Sequence, residues 1–241
     1  MTTLVVGATG ATGRLLVQQL LARGQQVKVI VRSPDKLPDV IRTHEGLCAI
    51  HGSILDLNDA ELARHVNGCA RIASCLGHVL SVKGIYGQPR RLVTAATRRL
   101  CDAITANRPE QSTRFVLMNT AGNSNRDLHE TVSRSQRLAL GLIRLALPPH
   151  ADNEAASDYL RTAIGQRHEK IAWVVVRPDT LINASSVTEY RAYPSPTRSA
   201  LFDPGKTSRI NVAHFMADLI TDDHTWNRWK GQMPVIYNKA W

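Results

Sequence analysis

Cysteine and aromatic residues are scarce in this chain: four cysteines in 241 residues, and Phe, Trp and Tyr together only 5%. Cys48, Cys69, Cys75 and Cys101 show no C-x-x-C spacing, which argues against a disulfide framework and a zinc site; they read as reduced core thiols. So few aromatics leave little to build a stacking platform for single-stranded nucleic acid. The longest apolar run, Leu138 to Pro149, is broken by Arg144. It falls short of the roughly 20 residues that cross a bilayer. Low-complexity tracts are absent, and the first residues lack the basic and apolar regions of a secretory signal, so a cytoplasmic protein is expected. Acidic residues are also few, 20 against 30 Lys and Arg, giving a formal charge of +10. That sign favours anionic partners. The basic residues are scattered, with pairs only at Arg90-Arg91 and Arg98-Arg99. Nucleic-acid binding is therefore not expected. No motif speaks to oligomeric state.

What is present is hydrophobic alternation sufficient for one domain spanning residues 1–241, with 43% apolar residues. An apolar strand at 3–7 ends in glycine and leads into a helix at 11–23, where Leu15, Leu16, Leu20 and Leu21 recur at helical spacing. Gly24 ends that helix, and Val27 to Val31 completes a βαβ unit. Further strands are expected at 47–50, 71–76, 114–119 and 172–177, the last stopping at Pro178. Asn58 with Glu61 forms a capping-box pattern, and a long helix is expected over Gln88 to Asn107. The pattern predicts an α/β protein with a doubly wound parallel sheet of the Rossmann type, whose ligand crevice lies beyond the carboxyl ends of the strands. Two regions depart from it. Residues 128–166 read as two helices joined at Pro148-Pro149, with Leu138, Leu142 and Leu145 of the first expected to cover an apolar pocket, the alternative being a membrane surface. Residues 183–208 read as a small C-terminal substrate-side cap.

Between the first strand and helix lies Gly7-Ala8-Thr9-Gly10-Ala11-Thr12-Gly13. Here backbone amides and the positive helix terminus can hold a pyrophosphate. Gly7 allows the sharp turn, Gly10 lets phosphate approach without a Cβ in the way, Gly13 permits close helix-to-sheet packing, and Thr9 and Thr12 add hydroxyls. At the end of the second strand an acidic residue would bind the ribose 2′-hydroxyl of NAD; the chain has Arg32-Ser33 instead, with Lys36 close behind. Guanidinium, hydroxyl and ammonium suit the 2′-phosphate of NADP(H).

Together with Gly52-Ser53, Val176-Arg177-Pro178 and Ser208 to Ala213, these residues resemble the atypical short-chain dehydrogenase/reductases, nearest their NmrA-like and flavin-reductase-like branches. The resemblance implies adenine contacts at Ser53 and Ile54, where the usual Gly-Asp has become Gly-Ser, and at the late helix Asn211 stands where Asp is common. It implies that Leu76, Gly77 and His78 line the cofactor and that Pro178 lies near the nicotinamide. The wider superfamily uses a Ser or Thr after strand five and a Tyr-x-x-x-Lys pair. Thr120 matches the former, but no Tyr-x-x-x-Lys occurs, Tyr159 being followed at that spacing by Ala163. The chain instead offers His150-Ala-Asp-Asn-Glu154 at a helix start, where Asp152 is also a natural N-cap. Thr120, His150 and Asn153 are the candidate catalytic residues. The implied activity is an NADPH-dependent oxidoreductase acting on a small carbonyl, quinone or flavin-like acceptor; the alternative is a non-catalytic NADP(H) sensor. A sugar-nucleotide epimerase or dehydratase, which relies on the missing tyrosine and lysine, ranks last.

Overall fold

A computed structural model describes residues 1–78, 81, 85–128, 130 and 147–239. Strands β1 (Thr2–Val6), β2 (Gln26–Val31), β3 (Leu47–His51), β4 (Cys69–Ser74), β5 (Thr113–Met118) and β6 (Ile171–Pro178) match the six expected. They form, with two later strands, an eight-stranded sheet. These are β8 (Tyr190–Tyr193) and β10 (Val235–Asn238), and the order is β3-β2-β1-β4-β5-β6-β10-β8. All neighbours run parallel except β8, which pairs antiparallel with β10. Short strands β7 (Thr180–Ile182) and β9 (Lys206–Ser208) pair with each other beside it. Strand order reverses between β1 and β4, which opens a crevice at their carboxyl ends.

Period-two alternation sends neighbouring side chains into different cores. Val5, Val29 and Val174 join one layer with helices α1 (Ala11–Ala22), α2 (Asp39–Arg42), α6 (Arg209–Thr221) and α7 (Asp223–Trp229). Leu4, Ile72 and Trp173 face the other, with α3 (Asp59–Val66), α4 (Leu92–Asn107) and α5 (Pro148–Tyr159). Strands hydrophobic on both faces need helices on both sides, which is what defines the doubly wound architecture. The capping box forms as expected: Asn58 Oδ1 accepts from Glu61 N, and Glu61 Oε2 from Asn58 N, each at 2.9 Å.

Three local expectations change. The helix expected from Gln88 begins at Leu92. Cys48 is exposed while the other three thiols are buried, because β3 is an edge strand whose residues are only partly covered. Asp152 is not an N-cap, since α5 already begins at Pro148 and Asp152 lies in its second turn. The segment 183–208 carries β8, so part of it closes the sheet edge. The leucine stripe expected at 138–145 lies outside the described residues. Among the described residues, no helix is long and apolar enough to cross a membrane.

Candidate functional site

The glycine turn follows β1 directly, and each glycine has a separate steric reason. Gly7 has φ of +78°, and a Cβ there would lie 2.6 Å from the Cys75 carbonyl at the end of β4. At Gly13 a Cβ would stand 2.1 Å from Gly7 O, so only glycine lets α1 start this close to the strand. Gly10 donates to Gly7 O at 3.0 Å, and a Cβ on it would meet only that oxygen, at 3.2 Å. As N-cap it offers no side chain to the first-turn amides, and the first turn holds no acidic residue. The amides beginning at Ala11 therefore keep their donors for an anion at the positive helix end. Thr9 and Ala11 are exposed and Thr12 is buried, so of the two hydroxyls only that of Thr9 lies open to solvent.

A cavity of about 360 Å³ opens beside this turn and is bordered by Gly7, Thr9, Arg32, Ser53, Ile54 and Leu76. Gln88, Pro89 and Leu92 form another part of its wall, a contribution invisible to motif reading because it depends on where α4 packs. An adjoining cavity of about 340 Å³ shares Arg32, Ser53 and Asp56 and adds His51, Leu57 and Glu61. His51 Nε2 lies 3.2 Å from the Arg32 carbonyl, and Glu61 is held by its capping bond. Thus Arg32 stands where the two cavities meet, with Asp56 bordering both as well; a guanidinium there can face a phosphate while the apolar walls of the first take a flat ring. Ser33 and Lys36 line neither cavity: the chain enters a tight 3₁₀ turn at Pro34–Lys36, which leaves Lys36 exposed.

Beyond β4, Leu76 borders the cavity, Gly77 has open space where a Cβ would stand, and His78 is buried. His78 Nε2 lies 2.8 Å from Asp152 Oδ2. The same fully buried carboxylate accepts from Val93 N at 2.8 Å and Thr94 N at 3.0 Å. Asp152 thus caps α4 from a different helix, a role sequence spacing cannot show because its partners lie about 60 residues away.

Beyond β5, Asn119 Nδ2 donates to the Asn153 carbonyl at 2.8 Å, and Thr120 Oγ1 accepts from Gly122 N at 3.3 Å. A Cβ on Gly122 would sit 3.4 Å from His150 Cε1 and 3.8 Å from Thr120 Oγ1. Thr120 of this turn and His150 of α5 therefore meet beside Gly122, while Asn153 is joined to the turn through its backbone oxygen. Pro178 is buried at the end of β6, where its carbonyl accepts from Ala121 N at 2.8 Å. Next to it Asp179 accepts from Thr180 N and Gly205 N, and burial raises its carboxyl above the ordinary value despite those bonds.

Arg177, fully buried, fastens the surroundings. Its guanidinium donates to Met233 O, Asn123 O and Pro194 O and pairs with Glu130 at 2.7 Å. The loop after β5, residues of the 183–208 segment and the approach to β10 all meet on it. The departure at Asn211 also has a structural reason. Its amide donates to Thr188 Oγ1 and Asn238 Oδ1, bonds that an ionised Asp could not make.

Fold and crevice together define a doubly wound dinucleotide-binding protein: a parallel sheet with a glycine-rich turn at its switch point. Residues 7–223 match the NAD(P)H-binding family, and the chain belongs to it. No curated protein matches the sequence. Among solved structures, the fold is similar to a short-chain dehydrogenase/reductase from Veillonella parvula in complex with NADP. Identity is 16% and TM-score 0.71, over 99% of this chain and 95% of that one. It is also similar to the oxidoreductase ylbE from Lactococcus lactis (16%, 0.70, 99% and 91%). A third is an NADH-flavin reductase candidate from Streptococcus pneumoniae (16%, 0.65, 99% and 100%). At such identities the likeness is one of fold.

Proposed function

We propose that the chain is an NADPH-dependent oxidoreductase that reduces a small carbonyl, quinone or flavin-like acceptor. The observation that carries the reading is Arg32 at the junction of the two cavities, just past the end of β2, the strand that neighbours β1 and its glycine turn. On this reading the pyrophosphate rests on the turn Gly7 to Gly13, with Thr9 and Ala11 at its open side. The adenine lies against Ser53, Ile54 and Leu76, and Arg32 faces the 2′-phosphate with Ser33 and Lys36 supplying further positive and polar character nearby. Gly77, His78 and Pro178 border the nicotinamide half. An open glycine cradle, a cavity of about 360 Å³ and a guanidinium at its edge fit this group.

When bound, the reduced nicotinamide supplies a hydride. The residues of the chain do the rest: Thr120 orients the acceptor through its hydroxyl, and His150 and Asn153 line the space above the turn after β5. The segment 183–208 covers the substrate side. The absent Tyr-x-x-x-Lys supports a second reading, a non-catalytic NADP(H) sensor. The test is NADPH oxidation against a panel of quinones, flavins and aldehydes, with parallel titrations of NADPH and NADH. Turnover with an acceptor supports the reductase. Tight NADPH binding without turnover supports the sensor, and binding of neither nucleotide refutes both.

A further inference from the structure

The ring of His150 has two differently occupied edges. Its Nε2 faces Glu154, one helical turn along α5, at 3.7 Å from Oε1. Its Cε1 and Nδ1 face the turn after β5, standing 3.4 and 3.9 Å from the position of a Cβ on Gly122, beside Thr120 Oγ1. Both side chains are largely buried, at 12% and 10% exposure. The i, i+4 spacing is what brings two residues of one helix face together. From this geometry we propose that His150 and Glu154 form the proton-delivering pair of the site: His150 donates from Nδ1 to the reduced acceptor, and Glu154, its carboxylate within ion-pair reach of Nε2 but beyond hydrogen-bond distance, is the positioning residue. The proposal rests on the oxidoreductase reading and assigns it a proton source in a chain lacking Tyr-x-x-x-Lys.

The chemistry balances. Reducing a carbonyl adds a hydride, with its electron pair, to carbon and a proton to oxygen, so the C=O π bond is replaced by C–H and O–H. With the hydride drawn from the reduced nicotinamide, the imidazolium gives up its Nδ1 proton to that oxygen and regains one from solvent. A carboxylate beside Nε2 favours the imidazolium before transfer. Loss of the Nδ1 proton leaves the neutral tautomer with hydrogen on Nε2, and Nδ1 is then reprotonated. Asp152, on the same helix, is directed instead at His78 and α4. Among the described residues of the turn 119–123 none is titratable.

Two measurements on the full chain test the pair. In the protein without nucleotide, the imidazole of His150 is followed by nitrogen-15 NMR against pH; Glu154→Gln is expected to lower its midpoint. In turnover with NADPH and an acceptor found in the panel, His150→Gln is expected to lower kcat about 100-fold or more, with NADPH affinity within about threefold of wild type. Glu154→Gln should lower kcat about 10-fold, Glu154→Asp should restore part of it, and the double variant should be no slower than His150→Gln, as for residues acting as a unit. A wild type that turns over, with His150→Gln at a similar rate or a His150 midpoint unmoved by Glu154→Gln, overturns the pair and leaves the oxidoreductase reading standing. A wild type that binds NADPH but reduces nothing overturns both.

Discussion

Replacing Asp152 by alanine removes a side chain that solvent does not reach and that serves three donors: Val93 N, Thr94 N and His78 Nε2. Two are first-turn amides of the 16-residue helix α4, whose own N-cap Arg91 offers no side-chain bond. Leaving a buried donor without an acceptor costs about 1–3 kcal/mol, and losing an N-cap about 1 kcal/mol. These terms overlap, and three donors lose the same acceptor group at once. The expected loss for Asp152→Ala is therefore about 4 kcal/mol, a large part of the ~5–15 kcal/mol that holds a domain folded. For a domain of this size it corresponds to a fall in Tm of roughly 8–16 °C. Asp152→Asn keeps an acceptor oxygen but turns an NH₂ toward donors, so it should fall between alanine and wild type. Urea unfolding followed by circular dichroism gives the free energies, and hydrogen exchange at Val93 and Thr94 localises the effect. A loss below ~1 kcal/mol for alanine, or asparagine matching wild type, would refute the trans-capping argument.

Arg32→Ala should weaken NADPH binding by roughly 10- to 100-fold, the worth of a charge-assisted bond, and leave NADH within about threefold; fluorescence titration separates the two. Gly13→Ala places a methyl carbon 2.1 Å from Gly7 O, so the turn must shift; lost nucleotide binding or a sharply lowered Tm is expected, and a variant that binds like wild type contradicts it. Arg177→Met strands Glu130 in the interior and should cost about 3–5 kcal/mol in urea unfolding. Cys48 alone should react with a thiol reagent in the native protein, the other three only on unfolding. Burial pushes the Cys75 thiol up to about 12 and Tyr159 up to about 12. Both groups are held protonated in the folded state, so their stabilisation is complete below the unfolded values of 9.0 and 10.0 and is lost as pH rises toward 12. A midpoint of unfolding unchanged between pH 8 and 11 would contradict that.

The six strands of the parallel half were legible because each is a short apolar run bounded by polar or glycine punctuation, and the glycine turn because its spacing answers to the positive φ of Gly7 and to local sterics at Gly10 and Gly13. Such features depend on neighbours a few residues away. What escaped the sequence depends on distant partners. Strand β10 is four residues long and exists because β6 and β8 flank it. Gln88 and Leu92 enter the cavity wall only through the placement of α4. The cluster from His150 to Glu154 could be named but not apportioned. A carboxylate at 152 reads equally well as a local cap, and only packing of α5 against α4 sends it to Val93, Thr94 and His78 while His150 and Glu154 meet on the neighbouring stripe. Periodicity and backbone sterics thus determined the class of fold and the glycine-rich turn from sequence alone. Which polar side chains face one another was decided by tertiary structure, because a buried hydrogen bond is fixed by the approach of separate elements rather than by spacing along the chain.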